Sequence, residues 1–430
     1  MASNVTNSVV RLHTVAHFNV RQEGSLGRRA VLTNTQRTGT NRSRRAHLEV
    51  ACVSGGVKQN QAAYAKGVKY GVRMIGTGSA VPANILTNTD MESLVETSAE
   101  WIESRTGIKQ RHIIGKDQTI ADLGAEAAAK ALEMANVSAE DVDLIILCTS
   151  TPDDIFGSAC LVQAKLGAKN AAAYDLTAAC SGFVVGLVNA THMIRGGNFK
   201  NVLVIGADAL SRFVDWRDRG TCILFGDGCG AMLLQGVEGE CNVLGFDVKS
   251  DGTMNKNLVA PYTLPEAVLM TAGGQEEGEA GSPCKPLSTS CSAQGAYNNI
   301  NMTGSEIFKF AVRAVPKIVG SALEAAGLEV ENIDHLVLHQ ANQRILDSAA
   351  ERLGVPKEKV VSNIANYGNT SAASIPLAFD EAVRGGAVHD GDVVAMAGFG
   401  AGLTWAAAIL RWGGAEVVTN GAPSSQNNGN

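Results

Sequence analysis

Three side chains of the 430-residue chain have chemistry that fits together. Cys180 lies in "YDLTAACSGF" (174–183), His339 in "HLVLHQANQR" (335–344) and Asn369 in "NYGNTSAAS" (366–374). A thiol is a strong nucleophile, while an imidazole N–H and an amide NH2 are donors that need no ionisation at pH 7. Such a set suits nucleophilic catalysis by the thiol, if the fold brings the three together. Cys180 follows the strand-like "AAYDL" and precedes the apolar helix "GFVVGLVNATHMI". That places it at or near a helical first turn, where unpaired N–H groups and the positive end of the dipole are expected to lower the thiol pKa. Ala178, Ala179 and Gly182 leave room for an acyl group and for close backbone approach. Taken alone, a cysteine here reads equally well as a small buried hydrophobe. With His339 and Asn369 beside it, the nucleophile reading prevails.

The elements that must bring these residues together are legible as a repeat. An ungapped shift of 191 residues lays "KALEMANVSAEDVDLIILC" (130–148) over "SALEAAGLEVENIDHLVLH" (321–339), with seven of 19 positions identical. Each copy reads as a helix end, an acidic loop and a buried strand. A shift of 189 lays "CSGFVVGLVNATHMIRGG" (180–197) over "NTSAASIPLAFDEAVRGG" (369–386). On these shifts Cys180 lies over Asn369, and Cys148 over His339. A pseudo-twofold pair of βα-rich halves would bring the two helix N-termini, and with them the three residues, into one cleft. Chance likeness of two amphipathic units explains several ordered matches poorly.

Composition agrees with a large α/β protein: 45% hydrophobic, 18% charged, 47 Gly and only 5% aromatic. The net charge of −6 argues against a nucleic-acid partner. No apolar run reaches the roughly 18 residues of a spanning helix, so no membrane partner is expected. Nine scattered cysteines with no CxxC pair or His/Cys cluster speak for a reducing compartment and against a metal site. Cys148, Cys160, Cys222, Cys229 and Cys241 read as small structural residues. The first 50 residues hold eight Arg, no Lys, two acids and ten Ser/Thr, the composition of an organelle transit peptide and here of a plastid type. The expected organisation is a leader over 1–66, a half over 67–240 carrying the cysteine, and a half over 241–412 carrying His and Asn. A Gly/Ser/Glu-rich insertion over 270–296 and a low-complexity tail over 413–430 complete it.

"LTAACSGF", "HQANQRI", "GNTSAASIP" and "GFGAGLTW", in this order, resemble 3-oxoacyl-[acyl-carrier-protein] (ACP) synthase III of the thiolase superfamily, over roughly residues 70–412. The Arg-rich N-terminus resembles that of the plant members. The resemblance implies a five-layered αβαβα fold in a homodimer, with acetyl-CoA and malonyl-ACP as substrates and no permanently bound cofactor. Cys180 would carry the acetyl group, and His339 and Asn369 would hold the malonyl thioester oxygen during decarboxylation. The oxyanion hole of the acyl-Cys step would be the backbone N–H groups of Cys180 and Ala401; the family often has Gly at the latter, a departure a backbone donor tolerates. Trp101, Arg105, Arg219, Asn342 and Phe399 would line the CoA path, although Trp101 and Phe399 also read as packing residues. Lys309, Arg313, Arg344 and Arg352 would attract the acidic carrier protein, or be ordinary solvated charges. His112, His192, His335 and His389 read as structural. Two other readings share the scaffold: a CoA-only condensing enzyme of the type III polyketide synthase kind, and a non-catalytic binding protein, which the intact Cys-His-Asn set disfavours.

Overall fold

Strand periodicity decides the architecture. The computed structural model describes residues 70–263 and 296–413, within one compact unit spanning Ser54–Asn430. The leader, nearly all of the 270–296 insertion and the tail beyond Gly413 lie outside the described residues. Ten strands form two five-stranded sheets. The first contains β1 (Tyr70–Ala80), β2 (Leu144–Cys148), β3 (Ala172–Leu176), β4 (Asn201–Ala209) and β5 (Asp227–Glu238), in the order β1-β5-β4-β2-β3. The second contains β6 (Val243–Ser250), β7 (His335–Leu338), β8 (Val360–Val361), β9 (Val393–Gly400) and β10 (Thr404–Arg411), in the order β6-β10-β9-β7-β8. Both sheets share one pattern: the three strands at one end pair antiparallel, and the rest pair parallel. The repeat in sequence is thus a repeat in topology.

The central strands are apolar on both faces, so each sheet must be covered twice. Alternate residues of β2 point opposite ways: Leu144, Ile146 and Cys148 into a core shared with the second sheet, Ile145 and Leu147 into an outer core. On β9, Val394 and Met396 face the shared core while Val393, Ala395 and Ala397 face outward. Helices α1 (Ala99–Thr106), α2 (Ile120–Ala135), α3 (Ala159–Leu166), α4 (Gly182–Arg195), α5 (Gly304–Ala326), α6 (Gln343–Leu353) and α7 (Ser374–Arg384) supply the covers. Between the sheets, α4 contributes Phe183, Leu187 and Ile194, and α7 contributes Ile375 and Phe379. Outside, α2 packs on the first sheet, and α5 and α6 on the second. These are the five layers αβαβα. Each buried Leu, Ile or Phe contributes about 1.5–3 kcal/mol, so the shared core holds the halves as one body.

The helix N-termini expose a slip in the sequence register. Ala179 (φ 47°) opens the 3-10 turn Ala179–Ser181 before α4, and Ser371 (φ 52°) opens the turn Ser371–Ala373 before α7. These positions correspond, 192 residues apart, whereas the Arg-Gly-Gly ends correspond at 189. The difference arises because α7 has 11 residues and α4 has 14. Cys180 is therefore the counterpart of Ala372, and Asn369 that of Thr177. The pairing of Cys148, which ends β2, with His339, which directly follows β7, stands.

Candidate active site

Cys180 sits between the sheets, 8% exposed, with its Sγ 3.3 Å from the Ser371 Oγ. β9 runs against it. A Cβ on Gly400 would lie 2.6 Å from the Cys180 backbone N, so only glycine lets the strand pass this turn. Ala401 directly follows Gly400 in the chain. The expected depression of the thiol pKa does not occur. Burial pushes it up to about 12, against the Ser371 hydrogen bond, which lowers it; the buried Asp208 carboxyl raises it further. Cys180 lies in the 3-10 turn, ahead of α4 itself, and desolvation outweighs any dipole contribution there.

His339 is buried at the mouth of β7, and burial pushes its imidazole down to about 3, so it is neutral at pH 7. Its Nδ1 lies 2.7 Å from the Ser374 Oγ, and the Phe399 ring packs edge-on at 5.2 Å. Its Nε2 makes no hydrogen bond to a described residue. Asn369 is held through its backbone, whose N–H donates to the Leu224 carbonyl (2.8 Å) and whose carbonyl accepts from Gly226 N–H (3.0 Å). Its Oδ1 accepts from Ser371 N–H at 2.9 Å, which leaves the amide NH2 without a partner among the described residues. One six-residue stretch, Asn369–Ser374, therefore contains the asparagine and touches both the thiol and the imidazole. Two neutral donors, Nδ2 of Asn369 and a ring nitrogen of His339, accompany a buried thiol.

Four residues here carried no signal of their own in the sequence: Asp208, Ser371, Ser374 and Gln340. Asp208 is fully buried on β4 and accepts from Ser150 N–H (2.8 Å), Ala372 N–H (3.1 Å) and the Thr149 and Thr151 hydroxyls (3.2 and 2.9 Å). It anchors the turn that carries Ser371. Both serines lie inside "GNTSAASIP", three apart, a spacing that puts them on one side of a helical turn.

The Arg219 guanidinium stacks on the Trp101 ring, 4.7 Å from its centroid, and donates to the Glu96 carbonyl at 2.9 Å. A flat ring held between them needs about 7 Å, two stacking distances, so the pair must part to admit one. Arg105 is exposed in the last turn of α1, and its carbonyl accepts from Asn342 Nδ2 at 3.2 Å. Gly107 (φ 78°) caps α1 where a Cβ would lie 2.5 Å from Gln343 Cβ, which lets the α6 turn approach closely. Asn342 caps α6, its Oδ1 accepting from Arg344 N–H at 2.9 Å. Phe399, only 3% exposed, belongs to the outer core and touches the site through His339.

Lys309 pairs with Glu306 at 2.8 Å, Arg313 Nε donates to the Lys309 carbonyl, and the Arg344 guanidinium lies 5.7 Å from the Phe308 ring centroid. Arg352 is in the last turn of α6. Among the structural histidines, His335 Nε2 meets Asp392 at 3.0 Å and His112 Nδ1 meets the Pro82 carbonyl at 2.6 Å. Cys148, Cys222 and Cys229 are buried, as small core residues should be, while Cys160 is exposed. Among the described residues no cluster of His, Cys, Asp or Glu could hold a metal ion, and no helix is long and apolar enough to cross a membrane.

A five-layered αβαβα fold with a buried cysteine and an asparagine ahead of paired helices, and a neutral histidine at a strand end, defines a thiolase-like condensing enzyme. Residues 174–252 match the family model described as 3-Oxoacyl-[acyl-carrier-protein (ACP)] synthase III, and residues 323–412 match its C-terminal counterpart. The chain is 54% identical over 343 residues to beta-ketoacyl-[ACP] synthase III of Microcystis aeruginosa, covering 80% of this chain and 98% of that one. It is 54% identical over 347 residues to the chloroplastic beta-ketoacyl-[ACP] synthase III of Arabidopsis thaliana, covering 80% and 84%. The crystal structure of 3-oxoacyl-[ACP] synthase III from Aquifex aeolicus superposes with a TM-score of 0.69 at 44% identity, covering 80% of this chain and all of that one. The chain belongs to the beta-ketoacyl-ACP synthase III family, the acyltransferases that initiate type II fatty acid synthesis.

Proposed function

We propose that the enzyme condenses acetyl-CoA with malonyl-ACP to give 3-oxobutanoyl-ACP, CO2 and CoA, through an acyl-thioester on Cys180. The Cys180 sulfur attacks the acetyl carbonyl, the C–S bond to CoA breaks, and the thiol proton ends on the departing CoA sulfur. The Cys180 and Ala401 N–H groups receive the charge on the carbonyl oxygen. Malonyl-ACP then loses CO2 by cleavage of its C–C bond, and the electron pair moves onto the thioester carbonyl. The enolate oxygen meets Asn369 Nδ2 and His339. Its carbon attacks the acyl-Cys carbonyl, a C–C bond forms, and the Cys180 thiolate leaves and is reprotonated. The single observation that carries this reading is the Asn369–Ser374 stretch, which unites the three groups. A neutral imidazole suits the task, because a donor that does not titrate near pH 7 keeps its role throughout turnover.

Trp101, Arg105, Arg219 and Asn342 form the path for the CoA adenine and phosphates, and Phe399 backs His339 at the end of the pantetheine path. Lys309, Arg313, Arg344 and Arg352 lie on α5 and α6 and steer an acidic carrier protein. A homodimer is supported by Ile155 and Phe156, 84% and 95% exposed, and by the half-exposed Leu161 nearby. The Arg-rich, Ser/Thr-rich, acid-poor leader supports import into a plastid. No permanent cofactor is required. The test is intact mass spectrometry after incubation with acetyl-CoA, followed by peptide mapping. An acetyl increment on the Cys180 peptide that malonyl-ACP discharges is expected; a label elsewhere, or none, overturns the assignment.

A further inference from the structure

We infer that Ser374 is the positioning residue that fixes the His339 imidazole with its proton on Nε2, so that His339 enters the reaction as a hydrogen-bond donor and never as a base. This rests on the reading of His339 as a partner of the malonyl thioester oxygen. A serine hydroxyl has one proton to give and two lone pairs to accept with. The Ser374 oxygen accepts from the Gln340 backbone N–H at 3.3 Å and lies 2.7 Å from His339 Nδ1. Gln340, His339 and Ser374 are all buried, and the Ser374 hydroxyl has no other acceptor among the described residues.

Only two arrangements exist. If Nδ1 carried the ring proton, it would donate to Ser374, and the Ser374 proton would be buried without an acceptor, an arrangement that burial penalises. If the Ser374 hydroxyl donates to Nδ1, every donor is used and the ring proton resides on Nε2. Nε2 is the nitrogen that no described residue touches. The backbone N–H of Gln340 thus aims the serine, and the serine sets the ring, as the partner of a ligand or catalytic histidine commonly does. The Phe399 ring packs edge-on against the imidazole at 5.2 Å, and the backbone N–H of His339 donates to the Ala397 carbonyl (2.9 Å), which fixes the main chain from which the ring projects.

The test combines spectroscopy and kinetics on the purified enzyme. With 15N-labelled histidine, long-range 1H–15N correlation reads the His339 tautomer, assigned by comparison with His339→Ala. The expected result is the Nε2–H form in the native enzyme and a mixed or reversed population in Ser374→Ala. The same variant should lose malonyl-ACP decarboxylation and condensation by at least about ten-fold, with acetylation of Cys180 retained. Ser374→Thr, which keeps the hydroxyl, should restore both readouts. An Nδ1–H tautomer in the native enzyme overturns the inference, and this arm needs no variant to fold. So does a Ser374→Ala enzyme that condenses at the native rate. If His339→Ala itself condenses normally, it is the role of His339 that fails.

Discussion

The Cys180 thiol lies 3.3 Å from the Ser371 hydroxyl, and each residue belongs to a 3-10 turn that opens in the left-handed region, at Ala179 (φ 47°) and at Ser371 itself (φ 52°). The thiol's polar neighbour is therefore supplied by the equivalent turn of the other half. Left-handed backbone at non-glycine residues costs about 1–3 kcal/mol and persists only where surroundings hold it. The carboxylate of Asp208, bonded to Ala372 N–H at 3.1 Å, supplies part of that hold.

Ser371→Ala should make Cys180 less reactive. The Ser371 bond is the main influence lowering a thiol that burial has pushed up to about 12. Removing one such bond should slow alkylation by iodoacetamide at pH 8 by about 3- to 10-fold. In the native enzyme the rate should climb from pH 7 to 10 without a plateau. A plateau near neutrality, or equal rates in the variant, would show that the thiol is not governed by burial.

Acid should destabilise the fold through His339. Unfolded, the imidazole titrates near 6.5; folded, burial holds it at about 3. Between these values the unfolded chain binds a proton that the folded chain refuses, so stability falls as the pH drops through this window. From pH 7 to 5 the contribution is about 2 kcal/mol. Urea unfolding at the two pH values should show a loss smaller by that amount in His339→Gln. An identical loss in the variant would assign acid sensitivity to other groups.

Trp101→Ala should weaken acetyl-CoA binding without impairing the chemistry. The ring is 36% exposed and faces the Arg219 guanidinium at 4.7 Å. The KM for acetyl-CoA is expected to rise about ten-fold, one stacking interaction of roughly 1–2 kcal/mol. Acetylation from an N-acetylcysteamine thioester, which lacks the adenine, should be unchanged. If both donors suffer equally, Trp101 is a packing residue.

Arg344→Glu should separate the carrier protein from CoA as malonyl donor. Arg344 lies in the first turn of α6, five residues after His339, with its guanidinium 5.7 Å from the Phe308 ring centroid on α5. Turnover with malonyl-ACP should fall about ten-fold and lose its salt dependence, while turnover with malonyl-CoA is retained. Equal losses with both would show that these cations do not steer the carrier protein.

Residue type, motif and internal repeat were enough to single out Cys180, His339 and Asn369 and to expect two similar α/β halves. Those signals are local or periodic: strand alternation, helix punctuation and the recurrence of Arg-Gly-Gly survive in one dimension. The shift that laid Cys180 over Asn369 was carried by the helix ends. It missed that α7 is three residues shorter than α4, because an ungapped match cannot register a deletion at the N-terminus. The sign of the thiol shift was equally out of reach. A dipole at a helix start can be read from sequence, but desolvation depends on β9 crossing Cys180 at Gly400, more than 200 residues away. Asp208, Ser371 and Ser374 look like ordinary polar residues until the two halves close on each other. Burial and hydrogen-bond satisfaction are properties of that closure, and only the tertiary structure decided them.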